Sequence, residues 1–317
     1  MTEGNNNRSS EFHDLIIIGA GPAGLAAGIY AARDQQDVVL LEKLSPGGQV
    51  LTTDWVENYP GFPDGISGFE LMDAVRRQAD RFGLQIFSRE VQGVDFSGEV
   101  KALTLPDGKM TARSVIIATG AQPRKVGIEG EELLTGKGVS YCGTCDGPFY
   151  RNVEVGVIGG GDTAIEEALF LTRFASRVHV VHRRDQLRAT RILQDRAFAN
   201  EKITFVWDTV PTRIVGETTV EQLALQNVKT GLESAIKVEG VFVFVGTRPI
   251  TEFLAGSVDL DDQKFINVDR RQQTSVPGVF AAGDVTSETA RQIAVAVGEG
   301  VTAVLSAEDY LSESIPG

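Results

Sequence analysis

Short, wholly apolar runs recur along the chain, and glycines close several of them. The first is LIII at residues 15–18. Apolar residues without alternation predict a strand buried on both faces. Gly19, Gly21 and Gly24 follow as G-x-G-x-x-G, the Ala-rich stretch 25–33 predicts a helix, and VVLL at 38–41 predicts a second buried strand ending at Glu42. The pattern then returns. Residues 155–158 (VGVI) predict a strand, and Gly159, Gly161 and Ala164 give G-x-G-x-x-A. A helix is expected to about Phe174, and another strand at 178–181. One βαβ module therefore occurs twice, 140 residues apart.

Between the modules, residues 115–117 predict a strand that runs through Ala118 and Thr119 into a turn at Gly120. Mixed β-branched and polar residues at 210–237 predict a small antiparallel extension. GVFVFVG at 240–246 reads as a further buried strand. Residues 278–285 read as a strand ending in a turn at Gly283 and Asp284, with a helix from about Ala290. Alternating strands and helices of this kind make an α/β protein.

Each glycine motif follows a buried strand and opens a helix. Backbone N–H groups and the positive helix end then face an anion. The first glycine makes the tight turn, the second lets the backbone approach a pyrophosphate, and the third permits close helix–strand packing. Ala164 still satisfies that last requirement. The ends of the second strands separate two ligands. Glu42 stands 23 residues after Gly19, where a carboxylate accepts hydrogen bonds from ribose hydroxyls and repels a 2′-phosphate. That suits the adenosine of FAD or NAD. At the equivalent place in the second module stand His182, Arg183 and Arg184, with Arg188 expected one helical turn further on. Guanidinium groups there match a 2′-phosphate with charge-assisted hydrogen bonds, so NADPH is the expected second ligand and FAD the first.

At 317 residues the chain exceeds the size at which one core keeps growing, so two domains are expected. Its net charge of −13 argues against nucleic acid or an anionic membrane as a partner, because both need clustered Lys and Arg. No apolar run approaches the roughly 18 to 20 residues of a membrane span. Residues 1–12 lack the apolar core of a signal peptide and are expected as an unstructured tail. With two cysteines in all, the chain does not look like a secreted disulfide scaffold, and a cytoplasmic location is expected.

Both cysteines lie in YCGTCDG at residues 141–147. The spacing admits a redox pair, half a metal site or two buried thiols. A structural zinc site wants four ligands, and the chain offers three histidines, His13, His179 and His182, the second of them inside a predicted strand. The redox dithiol is the reading the pattern favours, because C-x-x-C thiols cycle through an intramolecular disulfide. Asp146 is then the candidate proton donor or acceptor.

Taken together, GAGPAG, GGQ (47–49), ENYPGF (57–62), ATG (118–120), CGTCDG, GGGDTA, HRRDQLR, GTRP (246–249), AAGDV and RQI (291–293) occur in an order that resembles the low-molecular-weight bacterial thioredoxin reductases. The resemblance covers nearly the whole chain from about His13. It implies two Rossmann-like, three-layer domains. The FAD-binding domain would be discontinuous (13–123 and 250–317), with an NADPH-binding domain inserted at 124–249 that carries Cys142 and Cys145. It implies FAD contacts from Gly19, Gly21, Pro22, Ala23, Gly24, Glu42, Gly48, Gln49, Asn58, Ala118, Thr119, Gly120, Gly283, Asp284, Arg291, Gln292 and Ile293. For NADPH it implies Gly159, Gly161, Asp162, Thr163, Ala164, His182, Arg183, Arg184 and Arg188.

The implied activity passes a hydride from NADPH to FAD and electrons on to the Cys142–Cys145 disulfide, then to thioredoxin. Cys145 would face the flavin, Cys142 would attack thioredoxin, and Asp146 would act as general acid. The inserted domain would rotate on segments near 121–126 and 247–253, and the protein would be a homodimer. Another redoxin or a peroxidase-reducing protein is the alternative acceptor. Three positions depart from the family pattern: Gly143, where Ala or Val is more usual and whose glycine is expected to loosen the redox turn, the pair Asp54-Trp55, and AVAVGEG in the last helix.

Overall fold

The computed structural model describes residues 11–53, 55–287 and 290–313. The tail expected over 1–12 lies outside the described residues up to position 10, and Asp54 lies outside them too. In chain order the elements are β1 (Glu11–Ile18), α1 (Pro22–Arg33), β2 (Val38–Glu42), α2 (Gly68–Arg81), β3 (Gln85–Ser88), β4 (Gly93–Asp95), β5 (Lys101–Leu105), β6 (Gly108–Ile117) and β7 (Ala121–Pro123). Next come β8 (Val139–Ser140), α3 (Gly143–Asp146), β9 (Glu154–Gly159), α4 (Asp162–Leu171), β10 (Arg177–Val181), α5 (Arg191–Phe198) and β11 (Ile203–Val206). The rest are β12 (Thr209–Val215), β13 (Gln222–Asn227), β14 (Glu233–Lys237), β15 (Gly240–Phe244), β16 (Thr247–Pro249), β17 (Val279–Ala281) and α6 (Ile293–Glu313).

The chain divides into two compact units, one of residues 1–122 and 248–317, the other of 123–247. In the first, β3-β2-β1-β6 form a parallel sheet. β6 is long enough to pair antiparallel with β5 along its first half and parallel with β17 along its last three residues. The apolar run of β1 is buried on both faces as its composition requires: Leu15 and Ile17 join one core cluster, Ile16 and Ile18 the other. Each such side chain contributes roughly 1.5–3 kcal/mol on burial.

The second unit repeats the plan in β11-β10-β9-β15-β8, all parallel, with β12-β13-β14 as an antiparallel addition. Val155 and Val157 fill one side of that sheet, Ile158 and Val243 the other. In both units the strand order reverses beside the strand that precedes the glycine loop, the place where open α/β sheets bind ligands.

Three expectations shift. α1 begins at Pro22, three residues early, because Pro sits at the first helical position where its missing N–H costs nothing. Residues 184–188 are a bend, not a helical turn. The last helix starts at Ile293, after Arg291 at φ +46° has broken any earlier start. Among the described residues no helix is long and apolar enough to cross a membrane.

Candidate functional site

The first glycine loop joins β1 to α1. Gly19 has φ +103°, and a Cβ there would stand 2.4 Å from the Ala118 carbonyl oxygen. A Cβ on Gly24 would stand 1.8 Å from the Gly19 carbonyl oxygen, so this position holds helix against strand. Gly21 differs: a Cβ there meets nothing within 4 Å. It is the N-cap of α1 and supplies no side-chain cap, whereas Ser67 closes α2 through the Glu70 amide. The first-turn N–H groups of α1 thus face open space, which fits a pyrophosphate.

Around this loop gather most of the other candidates in the first unit. Glu42 ends β2, its carboxylate accepting from the Ala20 amide (2.8 Å) and the Leu44 amide (2.9 Å). Gly47 donates to the Ala20 carbonyl, and a Cβ on Gly48 would lie 3.1 Å from the Gly21 Cα, so the 47–49 turn lies on the glycine loop. The Gln49 amide donates to the Ala121 carbonyl, and Thr119 Oγ1 donates to the Ile250 carbonyl at 2.7 Å. Gly120 has φ +70°, and its carbonyl accepts from the Ile250 amide. From the C-terminal segment, Gly283 lies in contact distance of Ala23, and its amide donates to Glu299. Burial pushes the neighbouring Asp284 up to about 6, with Arg291 opposing and Glu299 adding. Asn58 donates to the Gln292 side-chain carbonyl at 3.0 Å, Arg291 lies 4.7 Å over the Phe265 ring, and Ile293 packs on the core beside α1.

The second loop repeats the same signature. A Cβ on Gly159 would lie 2.6 Å from both Ala164 Cβ and the Phe244 carbonyl oxygen, while one on Gly161 meets nothing within 4 Å. Gly161 caps α4 with no side chain. Thr163 is exposed in the first turn, and Asp162 accepts from the Thr190 amide at 2.6 Å. Arg183, Arg184 and Arg188 line one cleft together with Lys229, a residue that sequence reasoning missed. Lys229 bridges Asp185 (3.1 Å) and Asp208 (2.9 Å), which hold it above the usual lysine range. It comes from the turn after β13 and carries no local signal of this placement.

His182 does not line that cleft. Its ring is buried against Gly160, Nε2 has no partner, and burial lowers its proton affinity. Its position supports the loop from behind.

Cys142 and Cys145 form a disulfide across α3. Cys142 caps this short helix, its sulfur accepting from the Cys145 amide at 3.2 Å, and Ser140 Oγ accepts from the Cys142 amide at 3.1 Å. Asp146 is the last residue of α3. The approach to the pair is anchored by two residues the sequence did not single out. Tyr141 donates to the buried Glu131 carboxylate at 3.0 Å, and that carboxylate also accepts from the Val126 and Gly127 amides. Burial, then Glu131, pushes the Tyr141 phenol up to about 12. Among the described residues no group of three or more His, Cys, Asp and Glu is placed to hold a metal ion.

A doubly wound sheet with an open glycine loop in each unit, and a C-x-x-C disulfide in the second, defines an α/β oxidoreductase that works on disulfides. The sequence pattern of the family described as Pyridine nucleotide-disulphide oxidoreductase matches residues 13–300, and the chain belongs to that family. It is 49% identical over 306 residues to the thioredoxin reductase of Mycolicibacterium smegmatis, covering 96% of this chain and 98% of that one. It is 46% identical to the bifunctional thioredoxin reductase/thioredoxin of Mycobacterium leprae over 95% of this chain and 66% of that one. The crystal structure of thioredoxin reductase from Streptococcus pyogenes MGAS5005 is similar at a TM-score of 0.91 and 45% identity, with 96% of this chain and 100% of that one covered.

Proposed function

We propose that this chain is an NADPH-dependent flavoprotein reductase whose acceptor is the disulfide of thioredoxin. The observation that carries the reading is the Cys142–Cys145 disulfide, borne on a short helix in the same unit as an arginine-lined glycine loop. The names of the Mycolicibacterium and Streptococcus relatives support the acceptor, and the M. leprae relative joins reductase and thioredoxin in one name.

In this reading the unit of 1–122 and 248–317 binds FAD. Gly19, Gly21, Pro22, Ala23 and Gly24 form the pyrophosphate seat. Glu42 takes the ribose, and Gly48, Gln49, Asn58, Ala118, Thr119, Gly120, Gly283, Asp284, Arg291, Gln292 and Ile293 line the remainder. The open space beside Gly21 supports this fit. The unit of 123–247 binds NADPH, with Gly159, Gly161, Asp162, Thr163 and Ala164 at the phosphates and Arg183, Arg184 and Arg188 on the 2′-phosphate. His182 supports that loop from behind.

The bound FAD supplies hydride acceptance from NADPH and electron-pair transfer to a disulfide. The chain's own residues do the rest. Cys145 takes the electron pair as its bond to Cys142 opens. Cys142 then attacks the acceptor disulfide, and Cys145 resolves the mixed disulfide while Asp146 holds the proton of the departing thiolate. The second unit turns on the segments near 121–126 and 247–253 between the half-reactions, and two copies form a homodimer. The test is thiol release from oxidised thioredoxin by the purified protein with NADPH or NADH. The reading expects fast release with NADPH and slow release with NADH; no release with either contradicts it.

A further inference from the structure

The helix that carries the cysteines lies against α4, and one carboxyl of α4 is buried where they meet. Glu167 Oε2 is buried without a hydrogen-bond partner. A Cβ on Gly143 would stand 2.2 Å from that same atom. Glu167 therefore occupies the space that any larger residue at position 143 would need. Gly143 is not among the glycines with positive φ, so the backbone does not demand glycine there. The expected loosening of the redox turn is not what this glycine provides; it provides room.

The remaining surroundings of Glu167 are sparse in charge. β9, β10, β15 and α5 meet α4 through apolar side chains, Val157, Val180, Phe242 and Leu193 among them. Glu166 lies on its own helix, and α3 brings Asp146 and the two cysteines. Burial pushes the Glu167 carboxyl up to about 7; the Thr144 amide opposes this, Glu166 adds to it, and the Gly143 amide opposes it. No step described above uses this group.

We propose that Glu167 is a positioning residue that sets the proton affinity of the Cys142–Cys145 dithiol, and that position 143 is glycine so that this carboxyl can approach. The proposal rests on the reading of this pair as the redox centre. Opening the disulfide takes two electrons and one proton and leaves one thiolate and one thiol. The electrons come from a dithiol in the test below and from the reduced pyridine nucleotide in turnover. A thiolate formed beside an ionised carboxylate is repelled. The carboxylate therefore takes up a proton from water as the thiolate forms, and returns it when the disulfide closes. The two groups titrate as a coupled pair.

The test is the alkylation rate of the intact flavoprotein, reduced with dithiothreitol and freed of it, with iodoacetamide between about pH 6 and about pH 9. Glu167→Gln removes the negative charge. It is expected to alkylate roughly three- to tenfold faster just above neutral pH, with the inflection near neutral lost from the profile. Gly143→Ala displaces the carboxyl and is expected to shift the profile in the same direction. The double variant is expected to go no further than Glu167→Gln. A Glu167→Gln profile that superimposes on the unmodified protein's overturns the proposal. If that variant does not fold, an unchanged Gly143→Ala profile overturns it instead. Thioredoxin turnover of the unmodified protein is measured alongside: its absence would sink the functional reading while leaving the alkylation result interpretable.

Discussion

At the scale of single residues, chemistry that depends on residue type was readable and chemistry that depends on burial was not. Cys142, Cys145, Glu42 and the arginines announce themselves by spacing from a glycine loop. Glu131, Glu167 and Lys229 look like ordinary surface charges in the sequence, and only tertiary packing makes them otherwise. Two predictions belong here. Arg184→Ala and Arg188→Ala are expected to raise KM for NADPH by roughly 10- to 100-fold and to leave KM for NADH little changed, since each removes a charge-assisted contact worth about 1.5–3 kcal/mol. Steady-state kinetics with both nucleotides checks this.

Asp284 supplies the second. Burial raises its folded-state value to about 6 from a model value of 3.8. The folded protein thus holds this proton more tightly than the unfolded chain. The resulting stabilisation is full below the unfolded value and is lost as pH rises through about 6. Asp284→Asn is therefore expected to stabilise the flavin-free protein at alkaline pH by on the order of 2 kcal/mol, with the gain shrinking toward acid pH. Urea unfolding across pH measures it.

At the scale of elements, strands buried on both faces were legible because they are apolar throughout, and β1, β2, β9, β10, β15 and β17 all fall where such runs stand. The first half of β6 was not, because it alternates: Met110, Ala112 and Ser114 are buried while Thr111 and Arg113 are half-buried. α2 went unread although Ser67 and Glu70 form a capping box that could have located it. The glycine loops make a prediction with an internal control. Gly24→Ala sets a Cβ 1.8 Å from a backbone oxygen and is expected to lose flavin and to destabilise by about 1–3 kcal/mol or more. Gly21→Ala and Gly161→Ala meet no atom within 4 Å. They are expected to keep the melting temperature of the unliganded protein while weakening flavin and NADPH binding respectively. Thermal melts paired with flavin content and nucleotide titration separate the two kinds of effect.

At the scale of the whole molecule, the repeated module foretold two units, and the resemblance supplied what a repeat cannot, that one unit interrupts the other. The chain crosses between the units at residues 122–123 and 247–248. Those crossings carry no composition signal, because β7 and β16 are three-residue strands that pair with each other. The sheet order is the same on both sides of the crossings, yet chemistry divides the units. A carboxylate ends β2, arginines follow β10, and the dithiol belongs to the arginine-bearing unit. The claim that joins them is that electrons leave the protein through Cys142 and Cys145. Rapid anaerobic mixing of NADPH with the Cys145→Ser variant, followed by oxidised thioredoxin, tests it most directly. The account predicts that flavin absorbance still bleaches and that thioredoxin reduction falls to background. Thioredoxin turnover that persists in Cys145→Ser would contradict it.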